Sequence, residues 1–136
     1  MKLSAKSRYG ARILADLATF YNKGPVQVSD ISKRQNISVK YVEQLIRPLK
    51  KGQLIMSARG PKGGHVLAKA PEKITLGEVI KLFEFQNRSS ECFCSIENCV
   101  SQDTCQLRLT WQEALNAFYA TLDVTTIADL EDECCG

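Results

Sequence analysis

The sequence predicts a mainly α fold: a winged helix-turn-helix with a two-stranded wing, followed by a long helix built for dimerisation. Three observations predict it. Two capped helical periods lie close together within residues 26–54. A glycine-rich hairpin with basic residues at its tip follows directly. Near the end, an apolar stripe from Leu107 to Leu122 recurs at four- and three-residue steps.

The first helix is expected over about 4–21. Ser4 can cap it, and Tyr9, Ile13, Leu17 and Phe20 share one face. Asn22-Lys23-Gly24-Pro25 then stops it. In "VQVSDISKRQNISVKYVEQLIRPLKKGQL", Ser29 is expected to cap a short helix ending near Arg34, with Gln35-Asn36-Ile37 as the turn. Ser38 caps the next helix, with Ile37 and Val42 as a hydrophobic staple and Val42, Leu45, Ile46 and Leu49 as its buried stripe. Lys50-Lys51-Gly52 ends it with suitable charge and a glycine just past the helix. Pro48 is discordant, because an interior proline removes a hydrogen bond at ~3 kcal/mol or more, so a kink or early loosening is expected.

Two short strands, 54–56 and 65–67, flank a loop of Arg59, Gly60, Pro61, Lys62, Gly63 and Gly64, the wing. Ala70-Pro71 marks a joint, dividing a helix-turn-helix region, 1–70, from 71–136, which holds a linking helix, a cysteine loop and the dimerisation helix. Thr75 and Glu78 make a capping box for a helix to about 85, with Leu76, Val79, Ile80 and Phe83 inward. The long helix is expected over about 104–122. So few small elements leave little core to cover Leu107, Trp111, Leu115, Phe118 and Leu122, so these are assigned to a dimer interface. A short helix near Thr126 and a loose tail carrying Cys134 and Cys135 complete the chain.

At 136 residues the chain has the size of one domain and can bury a core without disulfides. Lys6, Arg8, Arg12 and Asp16 interrupt the first apolar stretch, which excludes a secretory signal there, and no run approaches the ~20 apolar residues of a membrane span. A reducing cytoplasm is the expected location, with no membrane association. Net charge is segregated. Residues 1–69 carry 14 Lys or Arg against 3 Asp or Glu, and residues 70–136 carry 4 against 12, so +11 precedes −8. One half suits a polyanion and the other does not.

The expected polyanion is double-stranded DNA. Ser38, Lys40, Glu43, Gln44 and Arg47 lie away from the buried stripe of their helix and suit base edges: Lys and Arg for guanine, Gln for adenine, Glu for cytosine. Lys2 and Lys6, with Arg8, Lys33 and Arg34 nearby, suit phosphates. Arg59 at the wing tip suits a minor groove, Lys62 the backbone, and His65 either a phosphate or packing. No phosphate loop, paired-acid motif or triad is present, so no enzyme is expected.

"ECFCSIENCVSQDTC" holds Cys92, Cys94, Cys99 and Cys105 in the pattern C-x-C-x4-C-x5-C. Structural zinc usually takes two C-x2-4-C knuckles, which this is not. By spacing alone an iron-sulfur cluster, zinc and a reversible disulfide stand level.

Several stretches carry a resemblance. "MKLSAKSRYGARIL", "DISKRQNISVKYVEQLIRPLKKGQLI", "ARGPKGGHVLAKAPEKITLGEVI" and three cysteines before a long amphipathic helix resemble the iron-sulfur cluster regulators of the IscR, NsrR and RirA type. These are bacterial winged-helix transcription factors, and the likeness spans nearly the whole chain. It implies a homodimer on palindromic operator DNA, with its long helices crossed. It also implies a cluster, 2Fe-2S or 4Fe-4S undecided, held by Cys92, Cys99 and Cys105 and controlling DNA affinity. Two positions depart from the pattern. Arg108 stands where IscR-like chains place a histidine ligand, and Lys6 and Arg8 stand where NsrR-like chains offer a partner's acidic ligand. The fourth ligand is therefore open, with Cys94 an alternative or auxiliary one. Two other readings remain: a cluster-free repressor of the CymR type, controlled by a protein partner, and a small redox or electron-transfer protein.

Overall fold

The computed structural model of the chain describes residues 4–85 and 106–130. Helix α1 (Ala5–Thr19) lies at the centre of the fold. Ser4 caps it as expected, the Ser7 amide donating to Ser4 Oγ at 3.2 Å. Nearly every residue from Ala11 to Ala18 is buried, because α1 meets other elements on several sides: α2 (Val28–Gln35), α3 (Val39–Lys51), α4 (Leu76–Phe85) and α6 (Ile127–Leu130). Ile13, Leu14 and Leu17 join Ile31, Val42, Leu45, Leu49, Ile74, Val79, Phe83 and Ile127 in one core. The joint at Ala70-Pro71 is thus a boundary in charge, while the apolar core is continuous across it. Close packing at the α1–α4 crossing requires Gly10, where a Cβ would overlap the ring of Phe83.

The turn motif differs in detail from its sequence reading. α2 starts at Val28 after Gln27, which makes no side-chain cap, so Ser29 is an exposed first-turn residue and not the cap. Gln35 stays helical and buried, and the turn is made by Asn36 in the left-handed region (φ 55°, ψ 48°), a conformation asparagine tolerates. The Ser32 hydroxyl donates to the Ile37 carbonyl and closes it. α3 is capped as expected, the Tyr41 amide donating to Ser38 Oγ at 3.1 Å. It continues through Pro48 to Lys51, without early loosening. Past it, Gly52 has an ordinary φ of −80°, and the left-handed residue is Gln53 at φ 61°. A Cβ on Gly52 would come 2.9 Å from Leu82 Cδ1, so that leucine would have to shift.

The wing is an antiparallel pair, β1 (Ile55–Ala58) and β2 (Gly64–Leu67), registered Ile55 to Leu67 and Ala58 to Gly64. Its second strand is pinned near the tip to the segment after α1 by a bridge in which the His65 amide donates to the Val26 carbonyl at 2.8 Å and the Val26 amide returns at 3.0 Å. A 3-10 turn (Pro71–Lys73) leads to α4. Half of the expected capping box forms, the Glu78 amide donating to Thr75 Oγ1 at 3.1 Å, while the Glu78 carboxylate takes Lys69 Nζ at 3.0 Å. At the start of α1, Ser7 Oγ and the Ser4 amide both donate to Glu84 Oε1, at 2.7 and 3.0 Å, tying α4 to that end.

Helix α5 (Gln106–Asp123) has one buried residue, Tyr119, lying under Lys81 Nζ at 4.8 Å. Leu107 and Trp111 are exposed, at 62% and 41%, while Leu115, Phe118 and Leu122 are half-buried. Thr126 opens α6, its amide and hydroxyl both donating to Asp129 Oδ2. Among the described residues, no helix is long and apolar enough to cross a membrane.

Candidate nucleic-acid interface

α3 has two opposite faces. Val42, Leu45, Ile46 and Leu49 recur at three- and four-residue steps, are all at most 3% exposed, and seat the helix on the core. Seating that stripe forces the intervening residues outward, and Lys40, Glu43, Gln44 and Arg47 are exposed, as is Ser38 at the cap. The face therefore carries two cations, an anion and an amide in fixed order, on a helix whose first turn Ser38 closes.

At the wing, Arg59 and Lys62 are exposed on the tip, which turns through Gly60 at φ 109° and closes with the Gly63 amide donating to the Gly60 carbonyl at 2.9 Å. A side chain at that φ would be strained, so the tip keeps a glycine beside its cation. His65 is half-buried, its Nδ1 3.3 Å from Ser57 Oγ. Burial, and then the charge of Lys50 at the end of α3, holds His65 below its ordinary 6.5. The ring is partly covered and its backbone is bonded to Val26, which suits packing, and its burial disfavours the charged form. Lys6 is exposed in the first turn of α1. Lys2 lies outside the described residues, as do Cys92, Cys94, Cys99 and Cys105; among the described residues no group of His, Cys, Asp or Glu could hold a metal.

One functional cluster escaped the sequence reading. Asp16, 2% exposed in α1, accepts from Arg34 Nε at 3.0 Å, Arg34 Nη2 at 2.7 Å and Gln35 Nε2 at 2.9 Å. Gln35 in turn accepts from Arg12 Nε at 3.0 Å, and the Arg34 guanidinium lies 4.6 Å over the Phe20 ring. This network fixes α2 against α1 and hence the angle at which α3 is presented. The sequence signal was a lone aspartate inside an apolar helix stretch, which is stable there only when paired.

Comparisons with known proteins agree with this geometry. The family described as Rrf2, iron-dependent transcriptional regulator, matches residues 3–133. Protein rrf2 of Nitratidesulfovibrio vulgaris is 42% identical over 130 residues, covering 96% of this chain and 87% of that protein. The HTH-type transcriptional regulator IscR of Erwinia tasmaniensis is 35% identical over 130 residues, 96% of this chain and 78% of that one. Among solved structures, T. potens IscR has a TM-score of 0.74 at 32% identity, covering 98% of this chain and 88% of that one. CymR, the global cysteine regulator of B. subtilis, has a TM-score of 0.75 at 33% identity, covering 97% of each.

Proposed function

Because this chain belongs to the Rrf2 family, whose members are transcription regulators and not enzymes, we propose that it binds palindromic operator DNA as a homodimer, with an iron-sulfur cluster setting the affinity. The observation that carries the DNA half is the outward face of α3, where Lys40, Glu43, Gln44 and Arg47 are all exposed beside a sealed apolar stripe. In this reading residues 1–70 carry the DNA contacts: Ser38, Lys40, Glu43, Gln44 and Arg47 read bases, Arg59 enters the minor groove, and Lys2, Lys6 and Lys62 hold phosphates. Residues 71–136 carry the cysteine segment and the dimer helix, and a second copy covers Leu107, Trp111, Leu115, Phe118 and Leu122. Two turn motifs then reach half-sites about one helical turn, ~34 Å, or a multiple apart. The protein works in the cytoplasm.

Cys92, Cys99 and Cys105 would hold the cluster, with Cys94 alternative or auxiliary; thiolates are the usual iron-sulfur donors. When bound, such a group supplies a redox-active, chemically labile centre. The chain's contribution is the set of thiolates, which lie in sequence between α4 and α5. A second reading has a specific basis, the CymR likeness over 97% of both chains: a cluster-free repressor governed by a protein partner.

Anaerobic purification decides between them. The expected result is a coloured protein with stoichiometric iron and sulfide, colourless after serine replacement of Cys92, Cys99 or Cys105, with operator affinity changing in the same variants. A protein that is colourless under strict anaerobiosis yet binds its operator supports the CymR-like reading. A dimer that selects no sequence from random duplexes refutes operator recognition.

A further inference from the structure

Among the described residues, exposed large apolar side chains gather on or just after α5, at Leu107, Leu109, Trp111 and Val124. Three stand elsewhere: Tyr21, Met56 and Val39. Val39 is the one on the turn motif. It is the first residue of α3, directly after the Ser38 cap, and is 44% exposed.

Its position is informative. The residues three and seven further on, Val42 and Ile46, are buried, so Val39 sits on the border between the core stripe and the outward face. Helical side chains lean toward the N-terminus, and at the first position nothing of α3 lies beneath, so the isopropyl group projects past the tip. That tip is the part of a reading helix that goes deepest into the major groove. The other exposed residues of α3 are Lys40, Glu43, Gln44, Arg47, Lys50 and Lys51. Every one of them is charged or an amide. Hydrogen-bonding groups recognise guanine, adenine and cytosine, but the distinguishing mark of thymine is an apolar C5-methyl, which only an apolar side chain reads favourably. A β-branched residue is also a poor choice at a solvent-facing helix position on propensity alone.

We propose that Val39 reads the methyl group of one thymine in each half-site, making it a specificity-determining residue. The inference rests on α3 being the reading helix. It complements the polar readers, since without it the face has no means of telling thymine from uracil.

The test uses the full-length protein and an operator selected with it from random duplexes. Each thymine is replaced in turn by deoxyuridine, which removes the methyl and leaves every hydrogen-bonding group. At one symmetric pair of positions the wild-type affinity should fall about fourfold per half-site, the scale of one buried methyl. Val39→Ala should bind the thymine and uracil forms equally there, and Val39→Ile should keep the discrimination; circular dichroism shows all three folded. Discrimination that persists unchanged in Val39→Ala at every position overturns the assignment while leaving operator recognition intact. Failure to select any operator overturns both.

Discussion

Removing the carboxylate of Asp16 should cost the fold about 2–4 kcal/mol. The buried Gln35 amide, 5% exposed, would lose the acceptor it has at 2.9 Å, a penalty of about 1–3 kcal/mol. Arg34 would lose its ion-pair partner. Removing one partner of a buried ion pair costs about 3–5 kcal/mol, but this guanidinium side chain is 38% exposed, so water recovers much of that. For a domain of this size each kcal/mol moves the thermal midpoint by roughly 3–5 °C, so Asp16→Ala should melt about 6–20 °C lower. The assay is urea and thermal unfolding of Asp16→Ala, Arg34→Ala and the double variant, at one fixed protein concentration because a dimer's midpoint depends on it. A coupling energy of about 1.5–3 kcal/mol is expected from the cycle. A loss below 1 kcal/mol for Asp16→Ala, or strictly additive single effects, would refute the view that this network holds α2 on α1.

Gly10→Ala should destabilise by about 1–2 kcal/mol in urea despite its better helix propensity, because the new methyl meets the buried Phe83 ring. Leu107→Glu should leave a single chain's fold unchanged, since Leu107 is 62% exposed, yet abolish the dimer by light scattering; a normal dimer would place the interface elsewhere. His65 contributes to stability in the opposite sense to a paired histidine. Its folded value is held below 6.5, so the contribution is complete above pH 6.5 and is lost as pH falls through the folded value. His65→Gln should flatten that part of the pH-stability curve. Gln44→Ala should lower the preference for operator over random DNA, while Lys6→Ala should weaken both and reduce the salt slope; equal behaviour of the two would remove the distinction between base readers and phosphate contacts.

Which features were legible in the sequence follows from the range of the interactions that make them. The Ser38 cap and the Val42–Leu45–Leu49 stripe depend on neighbours within one or two turns, and both stand where they were expected. The wing was legible for the same reason, glycines and a basic tip being local signals. Ser29 misled because Val28 and Ser29 are both acceptable starts and the choice fell to packing, Val28 resting against the core. Glu78 had the spacing of a reciprocal cap, but Lys69, nine residues earlier, took its carboxylate. Asp16 was least legible. Its partners lie 18 and 19 residues away, and no periodicity announces a pairing between two helices.

The crossing of α1 and α4 has a consequence for how such chains can diverge. Gly10 and Phe83 together fill one volume, so position 10 cannot gain a side chain while phenylalanine stands at 83. A lineage that acquires a side chain at position 10 must first, or at once, shrink the residue at 83, and a chain with alanine at 10 should carry valine or alanine there. Reversing only position 83 restores the clash and reversing only position 10 leaves a void, while exchanging both together between two relatives should leave stability nearly unchanged. Inheritance at these two sites should therefore be linked, and covariation between them in an alignment of relatives is the expected outcome, although each looks, singly, like an unremarkable helix residue.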